Sequence, residues 1–440
     1  MKHIETDIAW LKNIPKHWKV DRLKDCCSKI TGGGTPKSST SEFWDDGNII
    51  WVTPTDFSKT NSKFISDSVK KITELGLQKS SANKLPKGTV IMSSRASIGD
   101  VKIAETELTT NQGFVSYIPS YKLDNNFLYY LISCQLGEYF LNIASGTTFM
   151  EISRKMASLE YIPLPPKQEQ IAIANYLDKA CERIDEIIKI KEDQIKTNDS
   201  IKKSQVFKLC TQGINKGIKF KDVDGQYVKK IPSHWEFGKL KRGCKSIDTG
   251  GTPKSSESAY FIDGTIKWYA PDCFEDSMVL SKPKKLINRI ALEKNEIKLY
   301  AENSIYFVAV GATAGKVGII KEPSSCNQQI NILKTNYKLH PEFLFYHLKI
   351  IEKEIIRFAQ YTTLPILNQS KTGYIEICYP PLNEQLEIVN RLHIIFDNTR
   401  KTKNTLEEQI KTLKSYRKSL IHECVTGKKQ IAKAIETIKN

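Results

Sequence analysis

No apolar run in this 440-residue chain reaches the roughly 18 to 20 residues that would span a bilayer. The first residues, Met1 to Trp10, carry Glu5 and Asp7 and lack the basic-then-apolar pattern of a signal peptide. The expectation is a cytoplasmic protein. Ten cysteines are present, yet none forms a C-x-x-C pair and no histidine sits at zinc-ligand spacing from them. Reduced, half-buried cysteines acting as small apolar residues are expected, with no metal site. The seven histidines form no H-E-x-x-H, and no Ser/His/Asp set stands out. Gly311-Ala312-Thr313-Ala314-Gly315-Lys316 is one residue short of a phosphate loop, and Val317 stands where Ser or Thr would bind magnesium. No G-x-G cofactor loop follows a convincing strand. Leu164-Pro165-Pro166-Lys167 and Tyr379-Pro380-Pro381-Leu382 have the wrong flanks for a DNA amino-methyltransferase. The chain therefore reads as a non-catalytic protein.

What it has in excess is positive charge. Lys+Arg is 66 against 49 Asp+Glu, a net +17, which points to a polyanionic partner such as nucleic acid. Hydrophobic content of 40% suffices for packed cores, so wholesale disorder is not expected.

The chain also repeats itself. Ile14-Pro15-Lys16-His17-Trp18 returns as Ile231-Pro232-Ser233-His234-Trp235, and Gly33-Gly34-Thr35-Pro36-Lys37-Ser38-Ser39 as Gly250-Gly251-Thr252-Pro253-Lys254-Ser255-Ser256. The register holds within a residue or two down each half. Trp51 and Pro54 answer Trp268 and Pro271; Asn111-Gln112 answers Asn327-Gln328; Pro165-Pro166 before Glu169-Gln170 answers Pro380-Pro381 before Glu384-Gln385. Such an offset marks a tandem duplication.

Four segments follow: 1–165 and 217–381 as globular domains, 166–216 and 382–440 as helical spacers. The globular parts read as mixed α/β (α+β). Strands are expected at Asn48 to Val52, Thr89 to Met92 and Ser304 to Val310, and short helices at Phe127 to Asn142 and Phe343 to Phe358. In the spacers, apolar residues recur every three or four positions. Leu177, Ile184, Ile188 and Ile195 mark the first packing face; Leu392, Leu406, Leu413 and Leu420 share one heptad position in the second. The Pro-Pro pairs mark the helix starts, and Gly213 and Gly427 suit the ends. At about 40 residues each, such helices run about 60 Å and bury little alone. They are expected to pair with each other as an antiparallel coiled coil, with pseudo-twofold symmetry between the two globular domains; two independent beads on a string are the plainer alternative.

Two loops suit an anionic ligand. Thr35, Lys37 and Ser38, and likewise Thr252, Lys254 and Ser255, reach out beside glycines that allow close backbone approach, although both loops read equally well as structural turns. Pro271-Asp272 followed by Glu296-Ile297-Lys298 loosely fits a Mg²⁺-dependent nuclease, with two carboxylates for metal and a lysine near the attacking water. The first half lacks it: Thr55 stands at the Asp272 position.

Taken in order, these motifs, with Arg95-Ala96-Ser97-Ile98-Gly99, Thr110-Asn111-Gln112-Gly113-Phe114, Gly146-Thr147-Thr148-Phe149 and Ile162-Pro163-Leu164-Pro165-Pro166, give a chain that resembles the specificity (S) subunit of type I restriction-modification enzymes. The resemblance covers nearly the whole chain, twice. The second copy departs from it: Gly311 stands at the Arg95 position, Gln329-Ile330 at Gly113-Phe114, and Tyr361-Thr362-Thr363 at Gly146-Thr147-Thr148. The resemblance implies two target-recognition domains, each reading one half of a split, asymmetric double-stranded DNA site. It implies helices that space the domains and dock two methyltransferase (M) subunits, which bind S-adenosylmethionine. Restriction (R) subunits using ATP and Mg²⁺ would cut unmodified DNA, so this chain needs no cofactor of its own. Base readout needs Arg, Lys, Asn or Gln on loops. The candidates are Arg95, Ser97, Lys102, Asn111, Gln112 and Thr147 in the first half, and Lys267, Thr313, Lys316, Asn327, Gln328 and Thr362 in the second, besides the two glycine loops. Asn111 and Gln112 have the alternative of being satisfied inside the domain.

Overall fold

The computed structural model describes residues 3–60, 62–145, 150–215, 217–275, 277–359 and 366–431. The chain divides into two compact units, 1–191 with 407–440, and 192–406. Each unit therefore owns part of both long helices.

Those helices run Lys167–Gln212 and Leu382–Val425, each beginning directly after its Pro-Pro pair. Past their last residues, Gly213 and Gly427 adopt φ of +77° and +73°, the left-handed conformation that stops a helix and that only glycine enters without cost. Leu177, Ile184, Ile188, Leu392 and Leu420 are buried, and Ile195, Leu406 and Leu413 half-buried. Thr399, itself buried, fills the heptad place between Leu392 and Leu406. Within the first unit Asp185 pairs with Arg417 at 3.2 Å and Lys191 donates to Gln409 at 2.7 Å. Within the second, Asn198 donates to the Thr399 carbonyl at 3.4 Å and the Lys202 ammonium lies 5.5 Å from the Phe396 ring centre. In each unit one helix ascends while the other descends, so the segments pair antiparallel.

Both units build the same sheets. In the first, a five-stranded sheet runs in the order Cys27–Gly32, Phe114–Pro119, Val90–Ser93, Val101–Ala104, Phe64–Ile65. In the second, four strands repeat that order as Cys244–Thr249, Ile330–Thr335, Ile305–Val308, Val317–Ile319. A second sheet of three strands is centred on Ile49–Val52 in one unit and Ile266–Tyr269 in the other, each paired parallel to the strand leading into the Asn-Gln segment. The expected strands are present within a residue or two. Both expected short helices are interrupted: Pro341–Ile350 gives way to Glu352–Ala359 at Ile351, and Asn125–Leu131 and Gly137–Ile143 are joined by a π turn at Ile132–Leu136. There Gly137 lies so close to Gly99 that a Cβ on it would meet the Gly99 Cα at 3.0 Å.

The repeated motifs meet at the helix ends. Trp18 and His17 both hydrogen-bond the Glu169 carboxylate, at 3.1 and 2.8 Å. Trp235 and His234 do the same with Glu384, both at 2.9 Å. A Cβ on Gly427 would collide with Pro15, and one on Gly213 with Glu384 and Trp235. Each Ile-Pro-x-His-Trp motif thus clamps the start of one long helix and the end of the other. Beside the clamp, fully buried Gln170 accepts from the Asp124 N–H at 2.7 Å and donates to the Lys122 and Pro165 carbonyls at 2.9 and 2.8 Å. Gln385 repeats this with His340, Lys338 and Pro380.

All ten cysteines are free. Burial pushes their thiols up, Cys26 to about 12, so they sit protonated as small apolar groups.

The Glu384 carboxylate is more enclosed than that of Glu169, with side-chain exposures of 9% and 31%. Glu384→Ala strands the buried Trp235 N–H and is expected to cost about 2 kcal/mol, against less than about 1 kcal/mol for Glu169→Ala. Chemical denaturation of the full chain, with hydrogen exchange at Lys230–Pro232, checks the difference. A pH effect follows from His347, which is fully buried and accepts from Tyr227 Oη at 3.2 Å and the Cys378 N–H at 3.4 Å. Burial disfavours its imidazolium and lowers its pKa to about 3. The unfolded chain binds that proton below about 6.5 while the fold refuses it, so stability is intact above pH 6.5. It falls by roughly 1.4 kcal/mol per pH unit as pH drops towards 3. Denaturation of His347→Gln at pH 7 and pH 5 should show a flatter dependence than wild type.

Candidate nucleic-acid interface

Each glycine loop is fastened by its backbone. In the first unit the Gly34 N–H donates to the Thr110 carbonyl at 2.9 Å, and the Trp51 indole donates to the Gly34 carbonyl at 2.8 Å. In the second, the Gly251 N–H donates to the Cys326 carbonyl and the Trp268 indole to the Gly251 carbonyl, both at 2.9 Å. The approach is tight enough to require glycine. A Cβ on Gly33 would fall 2.0 Å from the Asn111 carbonyl, and one on Gly250 2.3 Å from the Asn327 carbonyl. In the first unit Trp44 adds a second indole edge-on to Trp51, ring centres 4.9 Å apart, and donates to the Lys37 carbonyl at 3.2 Å.

With the backbone so held, the side chains turn outward. Thr35, Lys37, Ser38, Thr252, Lys254 and Ser255 are all exposed. Neither Lys37 nor Lys254 has an ion-pair partner among the described residues, which leaves two cations free for phosphate. The Thr35 hydroxyl donates to exposed Gln112, bringing the loop and the Asn-Gln segment together.

The Asn-Gln segments form one turn twice. The Gly113 N–H donates to Asn111 Oδ1 at 3.0 Å, and the Gln329 N–H to Asn327 Oδ1 at 3.1 Å. Asn327 also donates to Gln329 Oε1 at 2.9 Å and is buried. Both asparagines thus hold the turn, while Gln112 and Gln328 are exposed.

Other candidates are placed differently. Lys102 is buried, and its ammonium donates to the Thr60 carbonyl at 2.8 Å and to that of Ser62. Lys316, half-buried, donates to the Phe274 carbonyl at 3.1 Å. Both anchor the loop after the Trp-x-x-Pro turn, and burial lowers the Lys102 pKa. Arg95 pairs with Glu151 at 3.0 Å, and Lys267 with Glu322. Such half-exposed pairs are worth about 0–1 kcal/mol and exchange readily for another anion. Ser97 is exposed, and Thr313 half-buried in the turn before Lys316. Thr147 and Thr362 lie outside the described residues.

Beside the second tryptophan, the sequence reading picked out Asp272 and Asn327 but not Lys284, Lys285 or Gln329. An open groove of about 440 Å³ is lined there by Trp268, Asp272, Lys284, Lys285, Asn327 and Gln329. The Asp272 carboxylate is paired with Lys284. Among the described residues no group of three or more His, Cys, Asp or Glu side chains that could hold a metal ion gathers there or elsewhere. The recurrence of Trp-x-x-Pro beside Asn-Gln was the available signal for this groove.

Comparison with known proteins agrees in both sequence and fold. The family model described as type I restriction modification DNA specificity domain matches residues 15–197 and 232–412. The chain is 30% identical over 435 residues to the type I restriction enzyme MjaIX specificity subunit of Methanocaldococcus jannaschii, covering 97% of this chain and 96% of that one. It is 32% identical over 159 residues to the EcoR124I/EcoR124II specificity subunit of Escherichia coli, covering 34% and 38%. Among solved structures, a chain of a type I R-M system studied for complex assembly and conformational transition matches with a TM-score of 0.73, at 18% identity, covering 94% of this chain and 99% of that one. The HsdS subunit of Thermoanaerobacter tengcongensis matches with a TM-score of 0.58, at 18% identity, covering 94% and 98%.

The two kinds of lysine are separable by experiment. Lys102→Met leaves two carbonyls without their donor and is expected to cost about 2 kcal/mol of stability. Lys37→Ala should stay within about 0.5 kcal/mol of wild type. Thermal denaturation of the two variants side by side checks this.

Proposed function

Because this chain belongs to the type I restriction-modification DNA specificity family, we propose that each of its recognition domains reads one half of a bipartite, asymmetric DNA site. It is a specificity subunit with two recognition domains. The observation that carries the finer reading is the loop-on-indole construction, built twice with different polar side chains around it. A common scaffold places the reading groups; the exchanged side chains give each domain its own base preference. Lys37 and Lys254, without an ion-pair partner among the described residues and within a chain of net charge +17, supply phosphate contacts that fix register without reading sequence.

In this reading the chain performs no chemistry and carries no cofactor. Two methyltransferase subunits bring S-adenosylmethionine and modify adenine, and restriction subunits bring ATP and Mg²⁺. The long helices are the docking surface for the methyltransferase subunits. Exposed Ile187, Ile190, Ile201, Ile394 and Tyr416 on those helices support this assignment, since apolar residues left outside a helix pair suit a protein partner. The work is done in the cytoplasm; among the described residues no helix is long and apolar enough to cross a membrane.

The test uses the chain assembled with its methyltransferase subunits. Replacing residues 217–381 by the corresponding segment of another family member should change one half of the methylated site and leave the other intact. Single-molecule sequencing of methylated adenines gives the readout. If the wild-type assembly shows no preference for one bipartite duplex over scrambled DNA, the reading fails.

A further inference from the structure

The framework around Trp268 recurs in the first unit, and the polar groups it carries do not. The tryptophan (Trp51), the strand pairing and the asparagine turn all recur. Ile266 pairs with Ile287 as Ile49 pairs with Ile72, which aligns Lys285 with Lys70 and Lys284 with Val69. The Pro271 turn aligns Asp272 with Thr55, and the asparagine turn aligns Gln329 with Gly113. Thus an acid, a base and an amide in one unit face a hydroxyl, an apolar side chain and no side chain in the other. Thr55 and Val69 are exposed, Val69 at 64%.

Residues that merely stabilised the domain would be buried or tied to the backbone. Asp272 and Lys284 are 55% and 49% exposed, and each is the other's only ionic partner among the described residues. Gln329 Oε1 accepts from the Asn327 amide, and its Nε2 has no partner among the described residues. The groove thus presents donor beside acceptor, held by an exposed pair that costs little to open. In the major groove a G·C pair shows two acceptors on guanine, N7 and O6, next to the donor amine on cytosine N4. Lysine suits the guanine acceptors, and aspartate the cytosine amine. Threonine and valine methyls suit the C5-methyl of thymine instead.

Resting on the recognition function above, we propose that Lys284 and Asp272 together read a G·C base pair in the half-site bound by the second unit. Thr55 and Val69 meet an A·T pair at the equivalent place in the other half-site. These two positions are then specificity-determining residues that make the site asymmetric.

The experiment takes the full chain with its methyltransferase subunits, as wild type and as the Asp272→Thr/Lys284→Val double variant. Both substitutions are at exposed positions, and a thermal melt verifies folding. Methylated adenines are mapped by single-molecule sequencing, and binding is measured on duplexes in which each base pair of the second half-site is changed in turn. The expected result is a loss, on the order of tenfold or more, of discrimination for G·C at one position of one half-site, with the other half-site unchanged. An unaltered motif overturns the proposal. So does a uniform weakening on all sequences, which marks a phosphate contact, and so does a change confined to the other half-site. A wild-type assembly with no split motif removes the recognition function itself, and this inference with it; an intact wild-type motif that the variant also retains removes this inference alone.

Discussion

A side-chain amide buried at the start of each long helix holds the rest in place. Gln170 and Gln385 each satisfy three backbone groups, two of them on a globular segment more than forty residues away in sequence. Both amide protons and the carbonyl are used, so the side chain has one acceptable position. A buried glutamine that lost these partners would leave the amide and three backbone groups stranded, which makes the joint all-or-none. The neighbouring glutamate adds the indole and imidazole of the Ile-Pro-x-His-Trp motif. Helix and domain are thereby one mechanical piece within each unit.

That rigidity matters for recognition, because base readout tolerates little error in position. The loops that carry Lys37 and Lys254 are fixed mainly by backbone and indole hydrogen bonds. Side-chain identity can change without disturbing the scaffold. The two units display this: the same asparagine turn carries Gly113 in one and Gln329 in the other. The frame is thus held in common while the side chains on it differ between the units.

Much of this was legible in the residues themselves. Prolines and glycines bracket the long helices because their backbone preferences are local, and the apolar stripe needs only helical periodicity. The heptad gap at Thr399 was invisible as a packing position because a threonine does not announce burial. Sheet order was out of reach, since Cys27–Gly32 pairs with Phe114–Pro119 across more than eighty residues. Among the candidate contacts, exposure made the difference. Lys37 and Lys102 look alike in sequence, but Lys102 lies on a strand whose neighbouring loop offers it two carbonyls. Asp272 drew attention as a metal ligand because carboxylate spacing is easily matched by chance. Its actual partner, Lys284, lies twelve residues on, a pairing that no local pattern specifies.

The division of the chain into units imposes an order on their completion. The second unit is one uninterrupted stretch, 192–406, and can close as soon as it leaves the ribosome. The first is interrupted: Pro15 and Trp18 wait for Gly427, and 427 − 15 = 412 residues separate the outermost of these contacts. Closing so long a loop is slow. The part synthesised first is therefore the last to be sealed, and until then the face meant for the end of the second helix stays uncovered.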